Sequence, residues 1–308
     1  MSGLGEFQLI DWIRKQSWQH SQVPIGIGDD AALLAPTPGE EVIVTTDMLM
    51  DGRHFVVGQS SPELIGRKAL AVNLSDIAAM AGRPLAAFIS WALPRHGGRD
   101  LAQSLYSGIA DLALTFDVAI AGGDTNSWDG PLVINITLVG ETVGQRRILR
   151  SGARPGDWIF VTGPVGGSLL SGRHFALTPR VREAQELVQR VRVSAMLDLS
   201  DGIASDLRHI LCQSGVGATL DANSIPIHSD VDPALPNSER LRRALTDGED
   251  FELLLTTSPT DGEVLLADSS LDWKPIRIGV IDHQLGCRWR IDGKTESLPR
   301  GGWEHSIE

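Results

Sequence analysis

Acidic residues in this chain stand where a solvated surface seldom puts them. Asp29 and Asp30 follow Gly28, Asp47 follows Thr45-Thr46, Asp76 follows Ser75, and Asp124 follows Gly122-Gly123. Further along, Asp198 and Asp201 flank Leu199-Ser200, and Glu249 and Asp250 follow Gly248. These acids sit at the ends of apolar runs, beside Leu, Ile, Val and Gly, not among Lys and Glu on a polar helix face. Such neighbours draw carboxylates inward at strand ends. Carboxylates packed together repel, and burying them is costly. A hard divalent cation relieves both effects. Mg²⁺ takes carboxylate, hydroxyl and water oxygens, usually a few from the protein with substrate phosphates completing the shell. Any one Gly-Asp or Ser-Asp is more often a turn or an N-cap. The series as a whole predicts acids gathered around Mg²⁺ and a nucleotide.

At 308 residues the chain has room for two domains. Residues 7–18 carry weak helical amphipathicity, and Pro24 and Gly26 open the loop Gly26-Ile27-Gly28-Asp29-Asp30. The β-branched run at 41–46 predicts a strand that places Asp47 at its end. Ser61-Pro62-Glu63 has the form of a helix start for a helix running to Met80. A strand is expected at 85–93, a helix at 100–115, a short strand at 118–121 running into Gly122-Gly123-Asp124, and a strand at 132–139. The Gly/Pro-rich stretch from Arg150 to Asp157 marks a domain junction, dividing the chain into 1–149 and 150–308. Beyond it come strands at 158–162, 218–220, 251–256, 276–281 and 287–291, helices at 180–190 and 205–211, and a loop at 163–167. Strands and helices alternate irregularly in both halves, so the class is α/β or α+β. Asn73-Leu74-Ser75-Asp76-Ile77-Ala78 is faintly echoed by Asp198-Leu199-Ser200-Asp201-Gly202-Ile203-Ala204.

Composition excludes several classes. Lys and Arg number 27 against 39 Asp and Glu, a net charge of −12, which argues against a nucleic-acid binder. Cys212 and Cys287 are too few for a disulfide scaffold and lack metal-ligand spacing. No Gly-x-x-x-x-Gly-Lys-Ser/Thr or Gly-x-Ser-x-Gly segment occurs, and the eight His residues show no zinc spacing. The start of the chain lacks a basic segment followed by an apolar core, and no uninterrupted apolar run is long enough to span a bilayer. The expectation is a cytoplasmic protein without nucleic-acid or membrane partners.

Taken in order, eight segments resemble the thiamine-monophosphate kinase family. They are Gly5-Glu6-Phe7; Gly26-Ile27-Gly28-Asp29-Asp30-Ala31-Ala32; Thr45-Thr46-Asp47-Met48-Leu49 with His54-Phe55 downstream; and Lys68 through Met80 around Asn73-Leu74-Ser75-Asp76. Gly122-Gly123-Asp124-Thr125, Arg150 through Asp157, Asp198-Leu199-Ser200-Asp201-Gly202, and Gly248-Glu249-Asp250-Phe251-Glu252-Leu253 complete the set. The resemblance covers nearly the whole chain. It implies the two-domain fold of the aminoimidazole ribonucleotide synthetase superfamily, with the N-terminal domain forming a homodimer. It implies ATP-dependent phosphorylation of thiamine monophosphate to thiamine diphosphate. Carried over motif by motif, Asp30, Thr45, Thr46, Asp47, Asp76, Asp124, Asp198 and Asp201 hold several Mg²⁺ ions. Tyr106, Gly123, Asp124, Arg150 and Ser200 contact ATP, and His54, Glu249 and Trp303 face thiamine monophosphate. Asp47, Asp124 and Arg150 carry the catalytic weight.

The chain departs from the family between Gly167 and Asp198, where 168–178 is short and a Pro-x-Pro-Arg segment survives as Thr178-Pro179-Arg180. Within the superfamily, a selenophosphate synthetase would need a reactive Cys near its start, and no Cys precedes Cys212. A hydrogenase-maturation relative would end in Cys, whereas this sequence ends Ser306-Ile307-Glu308. Aminoimidazole ribonucleotide synthetase, which shares the acidic Mg–ATP site, stands as the alternative. A non-catalytic Mg–nucleotide-binding module would show lost acids, and all eight metal positions carry oxygen ligands.

Overall fold

The structure, a computed structural model, describes residues 6–303. Gly5 and the start read for a leader, the Phe7 side chain, and the terminal Ser306-Ile307-Glu308 lie outside the described residues. The chain divides into two compact units. One is formed by the residues up to Ile77 with Gly82–Arg146, the other by the residues from Arg147 onward with Ala78–Ala81.

The first unit contains α1 (Glu6–Gln16), β1 (Val42–Met50), α2 (Pro62–Ala79), β2 (Arg83–Pro94), α3 (Gly98–Thr115), β3 (Ala119–Trp128) and β4 (Val133–Glu141). Its four-stranded sheet has the order β1-β4-β2-β3. β4 pairs antiparallel with β1 and β2, and the chain returns through α3 to lay β3 parallel to β2. α2 begins as expected, with the Ser61 hydroxyl accepting the Leu64 N–H and proline at the first helical position. Ile65, Leu70, Leu74 and Ile77 of α2, Leu105 and Ile109 of α3, and Ile134, Ile136 and Leu138 of β4 are buried. α2 and α3 cross at a pair of glycines. A Cβ on Gly66 would overlap the Leu105 carbonyl, and one on Gly108 would overlap the Glu63 carbonyl.

Two strands run past their expected ends. β1 continues through Asp47 because Met48, Leu49 and Met50 go on pairing with Asn135, Ile134 and Val133. Asp47 therefore sits inside a strand, not at its end. β3 extends ten residues, and Gly122-Gly123-Asp124 lies within it, opposite Phe88, Ile89 and Ser90. The glycines are what permit this. A Cβ on Gly123 would overlap the Ile89 carbonyl, and one on Gly122 would lie 3.0 Å from the Phe88 ring.

The second unit holds β5 (Trp158–Val161), the single turn α4 (Ser168–Ser171), a 3₁₀ turn (Arg173–Phe175), α5 (Val181–Arg190), β6 (Val193–Asp198), α6 (Ile203–Ser214) and β7 (Gly217–Asp221). It continues with α7 (Asn237–Thr246), β8 (Leu253–Thr257), α8 (Pro259–Ala267), β9 (Ile276–Asp282), β10 (Gly286–Ile291) and β11 (Lys294–Ser297). Seven strands form a sheet in the order β11-β10-β7-β9-β5-β8-β6, antiparallel except where β10 meets β7. Ile159, Val161, Leu197, Ile203, Leu207, Ile210, Leu254 and Ile278 belong to its apolar core. The mixed class expected from the alternation holds. β6, α7, α8 and β11 were not anticipated: Val-Ser-Ala-Met-Leu-Asp holds a single β-branched residue, and 237–246 is mostly polar, with only Leu241, Ala244 and Leu245 buried. No helix among the described residues is long and apolar enough to cross a membrane.

Candidate functional site

In the first unit the candidate ligands fall into two groups. Thr45 and Asp47 share one face of β1, since side chains alternate along a strand. Asp76 on α2 reaches that face and accepts a hydrogen bond from the Thr45 hydroxyl. Thr46 faces the other way, its hydroxyl 3.0 Å from Thr137 Oγ1, while the Asn135 amide donates to the Asp47 carbonyl at 3.0 Å. The second group is Asp30, Gly123 and Asp124, which line a cavity of about 820 Å³ with Ser90 and Trp91. Gly28, on the loop leading to Asp30, is held at φ +133°, with the Arg14 guanidinium so close that a Cβ would lie 2.8 Å from it.

Asp47 and Asp124 are not brought together within this sheet. The register runs Asp47–Ile136–Ile89–Gly123 from edge to edge. Asp124, one residue further, emerges on the opposite face, three strand spacings of about 4.8 Å away. Among the described residues no three His, Cys, Asp or Glu side chains form a ready metal-holding group.

His54 is oriented by its own turn. The Met50 N–H donates to His54 Nδ1 at 3.0 Å, so the neutral ring carries its proton on Nε2. Lys68, fully buried on α2, donates to the His54 carbonyl at 3.1 Å. Tyr106 is enclosed, 1% exposed. Its hydroxyl lies 3.0 Å from Ser17 Oγ, the Trp12 ring packs edge-on at 5.5 Å, and burial pushes its pKa up. In this conformation the expected ATP contact is covered by α1 and the residues after it.

In the second unit the motifs are laced together by main chain. Glu249 N–H donates to the Ser200 carbonyl at 2.7 Å, Phe251 N–H to the Leu199 carbonyl at 2.8 Å, and Leu199 N–H to the Glu252 carbonyl at 2.8 Å. Trp303, 47% exposed, donates its N–H to the Asp201 carbonyl at 3.3 Å. The Met196 N–H donates to the Leu149 carbonyl at 3.0 Å, which holds the exposed Arg150 beside β6 as that strand leads into the buried Asp198. Asp198, Ser200, Asp201, Glu249 and Trp303 are thus tied through neighbouring loops. Glu249 and Phe251 adopt φ values of +58° and +53°, a conformation costing on the order of 1–3 kcal/mol for a residue with a side chain.

Several buried groups sustain this arrangement; of these, Asp206 and Arg173 were not singled out from sequence, while Asp250 stood among the acids expected to turn inward. Asp206 accepts the N–H groups of Asp201 and Gly202, each at 3.0 Å. Burial, with the charges of Asp201 and Asp198 adding to it, pushes its carboxyl up to about 8. Glu252 receives both arms of Arg180, at 2.6 and 2.9 Å, and the Thr162 hydroxyl. Asp250, buried, accepts the Gly166 N–H and a 2.8 Å bond from Arg173. Burial pushes Asp250 up to about 6 against the pull of Arg173. Of the basic partners, only Arg180 left a trace in sequence, in Thr178-Pro179-Arg180. Arg173 lies in a stretch with no periodicity, 57 residues from Asp230 and 77 from Asp250.

Two family models match the chain: AIR synthase related protein, N-terminal domain, over residues 28–142, and AIR synthase related protein, C-terminal domain, over 154–273. A thiamine-monophosphate kinase from Rhodopirellula baltica is 40% identical over 97% of this chain and 97% of its own length. Among solved structures, the thiamine-monophosphate kinase of Stenotrophomonas maltophilia K279a is 36% identical with a TM-score of 0.80, covering 94% of this chain and 98% of that one. A structure described as AaThiL complexed with AMPPCP and TMP is 30% identical with a TM-score of 0.76, covering 99% and 98% of the two chains.

Proposed function

The chain belongs to the thiamine-monophosphate kinases of the AIR synthase related family, and from that membership we infer that it transfers the γ-phosphoryl group of ATP to thiamine monophosphate, yielding thiamine diphosphate. The observation that carries this reading is the 30% identical neighbour complexed with AMPPCP and TMP, which matches this chain almost end to end. An aminoimidazole ribonucleotide synthetase activity is not favoured.

The acceptor is a phosphate oxygen, already anionic near neutral pH, so no general base is required. The difficulty is to align two polyanions, and such transfer rests on positioning and charge neutralisation. Arg150 is a fixed planar donor for ATP phosphate. The Gly123 backbone, Asp124 and Ser200 are the further ATP positions, joined by Tyr106 once the residues covering it are displaced. Nε2–H of His54 is set to donate to the thiamine phosphate, the Glu249 carboxylate to pair with the aminopyrimidine, and the exposed Trp303 ring to stack on a flat heteroaromatic ring.

Asp30, Thr45, Thr46, Asp47, Asp76 and Asp124 in the first unit, and Asp198 and Asp201 in the second, fit Mg²⁺: every donor is a hard oxygen, and Thr45 already bonds Asp76. When bound, Mg²⁺ neutralises charge on the phosphate oxygens. Substrate phosphates complete the ligand set in this reading.

We also propose a homodimer formed by the first unit. β1 is an edge strand, and Val42, Val44 and Met48, alternating on its one face, are 54%, 62% and 55% exposed. The cytoplasm is its proposed place, where ATP is at hand.

The direct test is to incubate the protein with Mg²⁺, ATP and thiamine monophosphate and to assay thiamine diphosphate. Asp124→Asn and Asp47→Asn are expected to lose turnover by about a thousandfold while melting like the parent. Parental activity in both would remove the carboxylates from the mechanism, and ATP binding without any turnover would revive the non-catalytic reading.

A further inference from the structure

We propose that Arg173 is a positioning residue for thiamine monophosphate, acting through Asp250 to hold Glu249. The proposal rests on the substrate role assigned to Glu249 above and deepens it.

The loop Gly248-Glu249-Asp250-Phe251 is held in an unusual shape, with left-handed backbone at Gly248, Glu249 and Phe251. Two main-chain bonds, from the Glu249 and Phe251 N–H groups, pin it on either side of Asp250. The third fastening is the Asp250 side chain, only 1% exposed. It accepts the Gly166 N–H at 2.9 Å and Arg173 Nη2 at 2.8 Å. Arg173 is itself fixed at two further points: Nη2 donates to the Gly166 carbonyl at 3.0 Å, and Nε donates to Asp230 Oδ2 at 2.8 Å. Ser171 Oγ donates to the same Asp230 oxygen at 2.7 Å. The next residue, His174, places Nδ1 3.6 Å from Glu249 Oε2. The short segment 171–174 therefore grips the loop at Asp250 and lies beside Glu249.

Arg173 is the only cation hydrogen-bonded to Asp250 among the described residues. Without it the carboxylate would be a buried charge held by an amide alone, with Glu252 acting against it. The loop would then relax from its left-handed shape and carry the Glu249 carboxylate away from its bound position. An error of about 1 Å in a substrate-positioning group is costly in rate or binding. Asp250 and Arg173 belong to the grip, and neither needs to touch the substrate.

The test is steady-state kinetics on Arg173→Met, Arg173→Lys, Glu249→Ala and the double variant Arg173→Met/Glu249→Ala. Arg173→Met is expected to raise KM for thiamine monophosphate about tenfold while KM for ATP stays within about twofold. Arg173→Lys, which keeps the charge but loses the two-armed geometry, falls between parent and Met. In the Glu249→Ala background, Arg173→Met adds nothing further, since the group it positions is gone. If Glu249→Ala leaves KM for thiamine monophosphate unchanged, the substrate role of Glu249 fails and this proposal with it. If Glu249→Ala raises that KM but Arg173→Met does not, or the two changes multiply independently, Glu249 stands and the positioning role of Arg173 is overturned. Should Arg173→Met fail to fold, Arg173→Lys decides in the same way: an unchanged split between the two KM values overturns the proposal.

Discussion

Asp206 shows how a single side chain couples the candidate site to pH. Its carboxyl is buried against the N–H groups of Asp201 and Gly202 and stands at about 8, above its ordinary 3.8. The folded chain then keeps a proton that the unfolded chain has already released. Stability falls as pH rises between those values, by at most about 1.4 kcal/mol per unit, and is flat above. Without Mg²⁺, the melting temperature of the parent is expected to drop from pH 5 to pH 8, and Asp206→Asn to drop less. Equal slopes in the two proteins would count against the buried proton. Cys287 offers a second check: burial pushes its thiol up to about 11, while Cys212 is exposed. A thiol reagent at pH 8 should label one cysteine per native chain and two after denaturation. Neither property was legible in sequence, because a lone Cys or an acid inside a helix looks the same whether it is buried or not.

At the level of elements, Gly66 and Gly108 set propensity against packing. Replacing a glycine in a helix interior by alanine normally gains about 1 kcal/mol. Here a Cβ at either position would overlap the facing helix's carbonyl, at Leu105 or Glu63. The clash outweighs the gain, so Gly108→Ala is expected to cost about 3 kcal/mol, read as a lower urea midpoint. A raised midpoint would show that α2 and α3 separate without penalty. The same kind of cause extended β3. A glycine pair reads in sequence as the end of a strand, yet Gly122 and Gly123 sit inside one because β2 runs too close for side chains. Helix 62–79 was legible from its Ser61-Pro62 start and helix 98–115 from its long apolar period, both local signals. The strand 193–198 was not, since what makes it a strand is its pairing with β8.

Across the whole molecule, the net charge is −12, and among the described residues no three His, Cys, Asp or Glu side chains form a ready metal-holding group. Mg²⁺ alone should shift the melting temperature by about 1 °C or less, and Mg²⁺ with a non-hydrolysable ATP analogue by about 5 °C or more. A full shift with Mg²⁺ alone would mean the acids form a metal site unaided. The sequence by itself determined the mixed α/β class, the family and the roster of candidate residues, because glycine-acid junctions and apolar periods are written in consecutive letters. Only the tertiary structure decided which of those residues lie together: Thr45 bonded to Asp76, Asp30 lining one cavity with Asp124, the Ser200 carbonyl bonded to the Glu249 N–H. It also decided that Arg173 bonds Asp250 and that Asp206 accepts the Asp201 and Gly202 N–H groups, because a buried charge finds its partner through space, where distance along the chain carries no information.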